Sequence, residues 1–98
     1  MKFNGSTGYL SAGDLDIAGN FTLSSWVKLN AVGIYQTPIS KTLRNANYPS
    51  YIHDLTSDNK LRCGFSTANS AGGWGTALTS NVTLNANIWY HIVCTYDG

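Results

Sequence analysis

Few side chains in this sequence are suited to acid–base or metal chemistry near neutral pH. They are five aspartates (Asp14, Asp16, Asp54, Asp58 and Asp97), two histidines (His53 and His91) and two cysteines (Cys63 and Cys94), with no glutamate at all. Glycoside hydrolysis generally uses two carboxyl groups at a fixed separation, one of them held protonated. Only Asp14 with Asp16 and Asp54 with Asp58 are close in the chain, and both pairs fall at turns. Aspartates at turns usually bond nearby backbone amides instead. A Ser-His-Asp set would have to draw on His53 with Asp54 or on His91 with Asp97. Adjacent residues of a strand point to opposite faces, so His53 and Asp54 do not readily pair. No Gly-x-Ser-x-Gly elbow is present. These residues read as a protein that is not an enzyme. Cys63 and Cys94 each lie in an apolar, strand-like run, where cysteine commonly acts as a small buried hydrophobe. That reading is favoured, and a disulfide stays open because sequence does not give the Cα separation.

Recognition chemistry is better supplied. Aromatic side chains make up 12% of the chain, enough to provide both a core and a binding surface. Exposed rings stack on the apolar faces of pyranose sugars, with amides and charged groups bonding the hydroxyls. Tyr35, Tyr48, Tyr51 and Trp74 lie in or beside Asn-rich and Gly-rich stretches, with Arg44, Asn45 and Asn47 nearby. Trp74, flanked by glycines, is the first choice for a stacking platform. Trp26 and Trp89 read as core residues.

The elements that must position these groups are strands. Forty-three per cent hydrophobic residues against 11% charged gives enough apolar area to offset chain entropy. The absence of glutamate leaves little material for amphipathic helices. Ser, Thr, Asn and Gly broken by Tyr, Trp, Phe, Ile and Val is the usage of strands joined by turns. Residues 21–29 alternate, with Phe21, Leu23, Val27 and Leu29 on one face and Thr22, Ser24, Trp26 and Lys28 on the other. Trp26 on the polar face suggests that this face is partly covered. Further strands are predicted at residues 37–41, 51–55, 61–65, 82–84 and 89–96. The last of these is apolar on both faces, as in a central strand. Two short strands at Phe3 and at Tyr9 with Leu10 are predicted around an Asn4-Gly5 turn.

Six Lys and Arg against five Asp leave a net charge of +1, and the cations are scattered. No electrostatic footprint for nucleic acid or an anionic membrane results. No apolar run approaches the roughly 20 residues of a membrane span, and the first residues lack a signal-peptide core.

The order of these pieces resembles a known family. An opening Phe3-Asn4-Gly5-Ser6 with Tyr9-Leu10 is followed by Asn20-Phe21-Thr22-Leu23-Ser24-Ser25-Trp26-Val27-Lys28 and by Ile39-Ser40-Lys41. Then come Lys60-Leu61-Arg62 and a closing Trp89-Tyr90-His91-Ile92-Val93-Cys94-Thr95-Tyr96-Asp97-Gly98. The whole chain is similar to laminin-G-like modules of the concanavalin A-like lectin/glucanase superfamily, above all to bacterial and phage members. The resemblance implies an all-β, antiparallel jelly-roll sandwich, with residues 1–98 as a single domain. It also implies that further strands normally follow the final turn. The expectation is that copies associate as a homo-oligomer to complete the sandwich.

The glucanase branch carries a Glu-x-Asp-x-x-Glu strand motif, which a chain without glutamate cannot hold. Many relatives bind calcium through loop oxygens, making Asp14, Asp16, Asp58, Asn59 and Asp97 the candidate ligands. Asn4 stands where the family commonly has aspartate, which weakens any site near the first turn. Calcium is the one cofactor considered. The leading expectation is a non-catalytic, lectin-like module that binds a glycan in an extracellular or virion-associated setting. The alternative is a structural module that assembles through its strand edges.

Overall fold

The computed structural model describes residues 1–13, 15, 17, 19–41, 50–66 and 76–97. Six strands form: β1 (Phe21–Lys28), β2 (Gln36–Lys41), β3 (Ser50–Leu55), β4 (Lys60–Ser66), β5 (Thr76–Thr83) and β6 (Trp89–Tyr96). All neighbours are antiparallel. One sheet has the order β1-β6 and the other β2-β3-β4-β5. No helix forms among the described residues, in keeping with the composition. The all-β sandwich read from the sequence is therefore the fold.

Alternation decides which residues face inward. Phe21, Leu23, Ser25 and Val27 of β1 turn toward the four-stranded sheet, as do Tyr90, Ile92, Cys94 and Tyr96 of β6. Two apolar clusters result. Leu29, Leu55, Leu84 and Ile92 form one, with Val27, Leu61 and Tyr90 against it. Leu23, Tyr51 and Phe65 form the other, with Ile17, Phe21, Ile39, Cys94 and Tyr96 around them. Tilted ring contacts of 4.1–5.8 Å join Phe21, Tyr51, Phe65 and Tyr96 at this end, favourable aromatic geometry beyond simple area burial.

Turn chemistry fixes the register of β3 and β4. Thr56 N donates to Lys60 O and Asn59 N to Thr56 O, both at 2.9 Å, and Lys60 N donates to the Thr56 hydroxyl oxygen at 3.1 Å. Asn59 takes φ 62°, a left-handed conformation that asparagine tolerates better than most residues. Asn87 does the same at φ 65° before β6, and its N–H donates to Leu29 O at 2.8 Å, tying that turn to the end of β1.

Three expectations change. The Asn4-Gly5 turn forms, with Asn4 Oδ1 accepting from the N–H groups of Ser6, Thr7 and Gly8 at 2.9–3.0 Å. The strands expected beside it at Phe3, Tyr9 and Leu10 do not form, and Tyr9 and Leu10 are exposed. An isolated two-stranded hairpin is marginal in water without a third strand or a packed face. Among the described residues β6 pairs with β1 alone, whereas a central strand has a partner on each side. Finally, Cys63 of β4 and Cys94 of β6 meet between the sheets with Cα atoms 6.0 Å apart, and they form a disulfide instead of standing as separate small hydrophobes. Labelling the denatured, unreduced protein with a thiol reagent is expected to find no free thiol; two would contradict the bridge.

Candidate functional site

The outward residues of the two-stranded sheet make one continuous surface. Thr22, Ser24, Trp26 and Lys28 of β1 lie beside Thr95, Val93, His91 and Trp89 of β6 in direct register. All eight are exposed. Trp26 and Trp89 are 67% and 60% exposed, so the expectation that both are core residues is wrong. The reason is parity. Each tryptophan occupies the same face as its polar neighbours two residues away, and among the described residues no strand or loop covers that face.

Cross-strand contacts hold these side chains in place. The Trp26 and His91 rings stack with centroids 5.0 Å apart and planes inclined by 20°. Ser24 Oγ lies 2.8 Å from His91 Nε2, bonding the histidine from the next position along β1. The Thr22 and Thr95 hydroxyls approach to 3.3 Å. The result is a ring platform with one indole supported from beneath, a row of hydroxyls on one side and Trp89 beside Lys28 on the other. Such a surface can stack on an apolar ring face and bond hydroxyls. The Ser24–His91 pair was not anticipated from sequence, because its partners are 67 residues apart.

Of the residues proposed from sequence as a glycan site, only Tyr35 and Tyr51 fall among the described residues. Arg44, Asn45, Asn47, Tyr48 and Trp74 lie outside the described residues. Tyr51 is only 5% exposed, and its hydroxyl donates to Leu15 O at 3.3 Å. It is a core ring and offers no stacking face. Tyr35 is 63% exposed and sits over the Arg62 guanidinium at 5.7 Å.

Of the candidate calcium ligands, Asp14 and Asp16 lie outside the described residues. Asp58 accepts from the Thr56 hydroxyl and pairs with Lys60 Nζ at 3.2 Å. These partners, the Thr56 bond first, hold its carboxyl below the usual range. Asn59 Oδ1 accepts from Gly33 N at 2.6 Å, joining the β3–β4 turn to the β1–β2 connection. Asp97 is exposed just beyond β6. No group of three His, Cys, Asp or Glu side chains converges among the described residues.

The arrangements considered for catalysis also separate. His53 points into the core, whereas Asp54 points outward and is held by Arg62 Nε at 3.0 Å and by the second guanidinium arm. His91 and Asp97 share a face but are six residues apart on extended chain, roughly 20 Å. The Ser24–His91 pair therefore has no carboxylate from either expected source to orient the imidazole, which a nucleophilic triad needs.

Comparison with known families agrees with this architecture. The Laminin_G_3 family, described as the concanavalin A-like lectin/glucanases superfamily, matches residues 4–98. The chain belongs to this family, whose members are lectin-like or binding modules in general. No curated protein and no solved structure matches the chain.

Proposed function

We propose that the protein is a non-catalytic, carbohydrate-binding module that receives its ligand on the outer face of β1 and β6. The observation that carries this reading is Trp26, 67% exposed yet held flat against His91. A ring immobilised before the ligand arrives loses little conformational entropy on binding. Ser24, Thr22 and Thr95 supply hydroxyls beside it, and Trp89 supplies a second ring at the opposite strand. Family membership supports the same class of function.

A glycan array followed by titration with the best sugar tests the reading. Trp26→Ala is expected to weaken binding by about tenfold or more, since about 1.4 kcal/mol of lost stacking is a factor of ten. Because the indole is exposed, the variant should keep the parent's melting temperature. Trp74→Ala is the comparison, from the site first expected in the loops. Binding lost with Trp74→Ala but not with Trp26→Ala would move the site there. Failure to bind any sugar would overturn the reading.

A further inference from the structure

Asn4-Gly5 is the only Asn-Gly pair in the chain. It heads a turn whose backbone amides converge on one side-chain atom. The N–H groups of Ser6, Thr7 and Gly8 donate to Asn4 Oδ1 at 3.0, 2.9 and 2.9 Å. In a carboxamide only the oxygen accepts hydrogen bonds, so the orientation of the group is fixed. Its nitrogen faces the Thr7 hydroxyl, with Nδ2 donating to Oγ1 at 2.9 Å. Residues 4–8 are all exposed, so water reaches the turn.

Three convergent donors do more than hold the turn. N–H groups around a carbonyl oxygen stabilise the negative charge that the oxygen gains when a nucleophile adds to its carbon. The nearest nucleophile in the chain is the amide nitrogen of the next residue, whose addition to Asn4 Cγ closes a cyclic imide. The Gly5 N–H makes no hydrogen bond among the described residues, so it is free to react. Beyond its chain neighbours, no atom lies within 4 Å of where a Cβ on Gly5 would stand, so nothing shields that nitrogen. Gly5 also holds φ 72°, a conformation that glycine enters without strain.

We propose that Asn4 is a self-modification site: the turn activates its carboxamide toward the Gly5 nitrogen, the Thr7 hydroxyl protonates the leaving group, and the residue becomes aspartate. The Gly5 nitrogen gives its proton to a solvent base and bonds to Asn4 Cγ, while Oδ1 takes up negative charge among its three donors. The Cγ–Nδ2 bond then breaks. The departing nitrogen takes the Thr7 hydroxyl proton and leaves as ammonia, and water reprotonates the threonine oxygen. Water finally opens the imide, so the overall change consumes water, releases ammonia and transfers no electrons. Opening at the bond between Cγ and the Gly5 nitrogen gives ordinary aspartate. Its carboxylate accepts from the same three N–H groups through stronger, charge-assisted bonds, which favours this product over isoaspartate. The added carboxylate cancels the chain's net charge of +1.

Peptide mapping by mass spectrometry of protein aged at mildly alkaline pH tests this, with Asn4→Asp marking the product. In the native state Asn4 is expected to convert about tenfold faster than in guanidinium chloride. That is less than the roughly hundredfold which one oxyanion donor contributes in a water-excluded site. The native product should also hold more aspartate relative to isoaspartate than the denatured one. Thr7→Val keeps the backbone donor and the branched shape, and it should slow conversion in the native state alone. Thr7 belongs to neither apolar cluster, so this variant should fold with the parent's circular dichroism. Native conversion no faster than in denaturant overturns the proposal, because the turn then shields the amide. A native Thr7→Val rate equal to the parent's also overturns it.

Discussion

Arg62→Ala is expected to destabilise the protein by about 3–5 kcal/mol, the usual consequence of stranding one member of a buried ion pair. Asp54 and Arg62 are directly opposite each other on β3 and β4. Asp54 is 2% exposed although it faces away from the sandwich interior, and neighbouring Ile52, on the same side, is 8% exposed. The guanidinium bonds both carboxylate oxygens, and hydrogen bonding to Asp54 raises its pKa above the ordinary arginine value. Tyr35 lies over its other side.

Removing Arg62 leaves a carboxylate in a place that water reaches poorly, and nothing else among its described contacts neutralises it. For a domain of this size, whose total stability is of order 5–15 kcal/mol, such a loss threatens folding itself. Arg62→Lys keeps the charge but cannot make the forked contact, so it should fall between parent and alanine variant. Replacing both partners together, as Asp54→Leu with Arg62→Met, should recover most of the loss, because no unpaired charge then remains. Urea denaturation of the four proteins measures this. A loss below about 1 kcal/mol for Arg62→Ala would show that Asp54 is better solvated than its burial indicates.

How much of this was legible beforehand depends on the range of the interactions. Strands β1, β3, β4 and β6 follow from a two-residue alternation that needs only local sequence, and they appear within a residue or two of the expected bounds. Local sequence marks only residues 82–84 for β5, which runs over Thr76–Thr83, because Thr, Ser and Asn on an exposed edge give no apolar alternation. β2 was anticipated near its place, and Pro38 falls within the register shift between Gln36 and Ile39, where an edge strand can spare a donor.

The outer face of β1 and β6 was the larger miss. Alternation places Trp26 on the face of Thr22, Ser24 and Lys28, but its size argues for a cover. Whether a cover exists depends on which strands stack, and no local pattern records that. The Ser24–His91 and Arg62–Tyr35 contacts, and the Cys63–Cys94 bridge, likewise follow from register and sheet order. Tyr51 shows the converse. Its position beside an Asn-rich stretch suggested a ligand contact, yet the alternation of β3 places it with Leu55 on the inner face.

His53 shares that inner face, and it should make the protein sensitive to mild acid. It lies between Tyr51 and Leu55, opposite Ile39 of β2 and Cys63 of β4, at the junction of the two apolar clusters. The ring is 0% exposed, and among the described residues neither nitrogen has a hydrogen-bond partner, nor does Ser25 Oγ on the facing sheet. Burial pushes the His53 pKa below its ordinary 6.5, with the charge of Asp54 opposing the shift but not reversing it. Asp54 points to the other face and is already engaged by Arg62. Cys63 is bridged.

In the unfolded chain the imidazole takes up a proton near its ordinary pKa, whereas in the fold it resists until a lower pH. Below about pH 6.5 the unfolded state therefore binds the extra proton, and stability falls until the lowered native pKa is reached. The loss amounts to about 1.4 kcal/mol for each unit by which the pKa is depressed. His53→Leu removes both unpaired nitrogens and keeps a side chain of similar bulk, so its stability at pH 7.5 should equal or exceed the parent's. Its stability should also change less between pH 7 and pH 5. His91 is present in both proteins, so the difference between their pH profiles isolates the buried ring. Parallel profiles over that range would mean that His53 finds a partner in solution and carries no acid sensitivity.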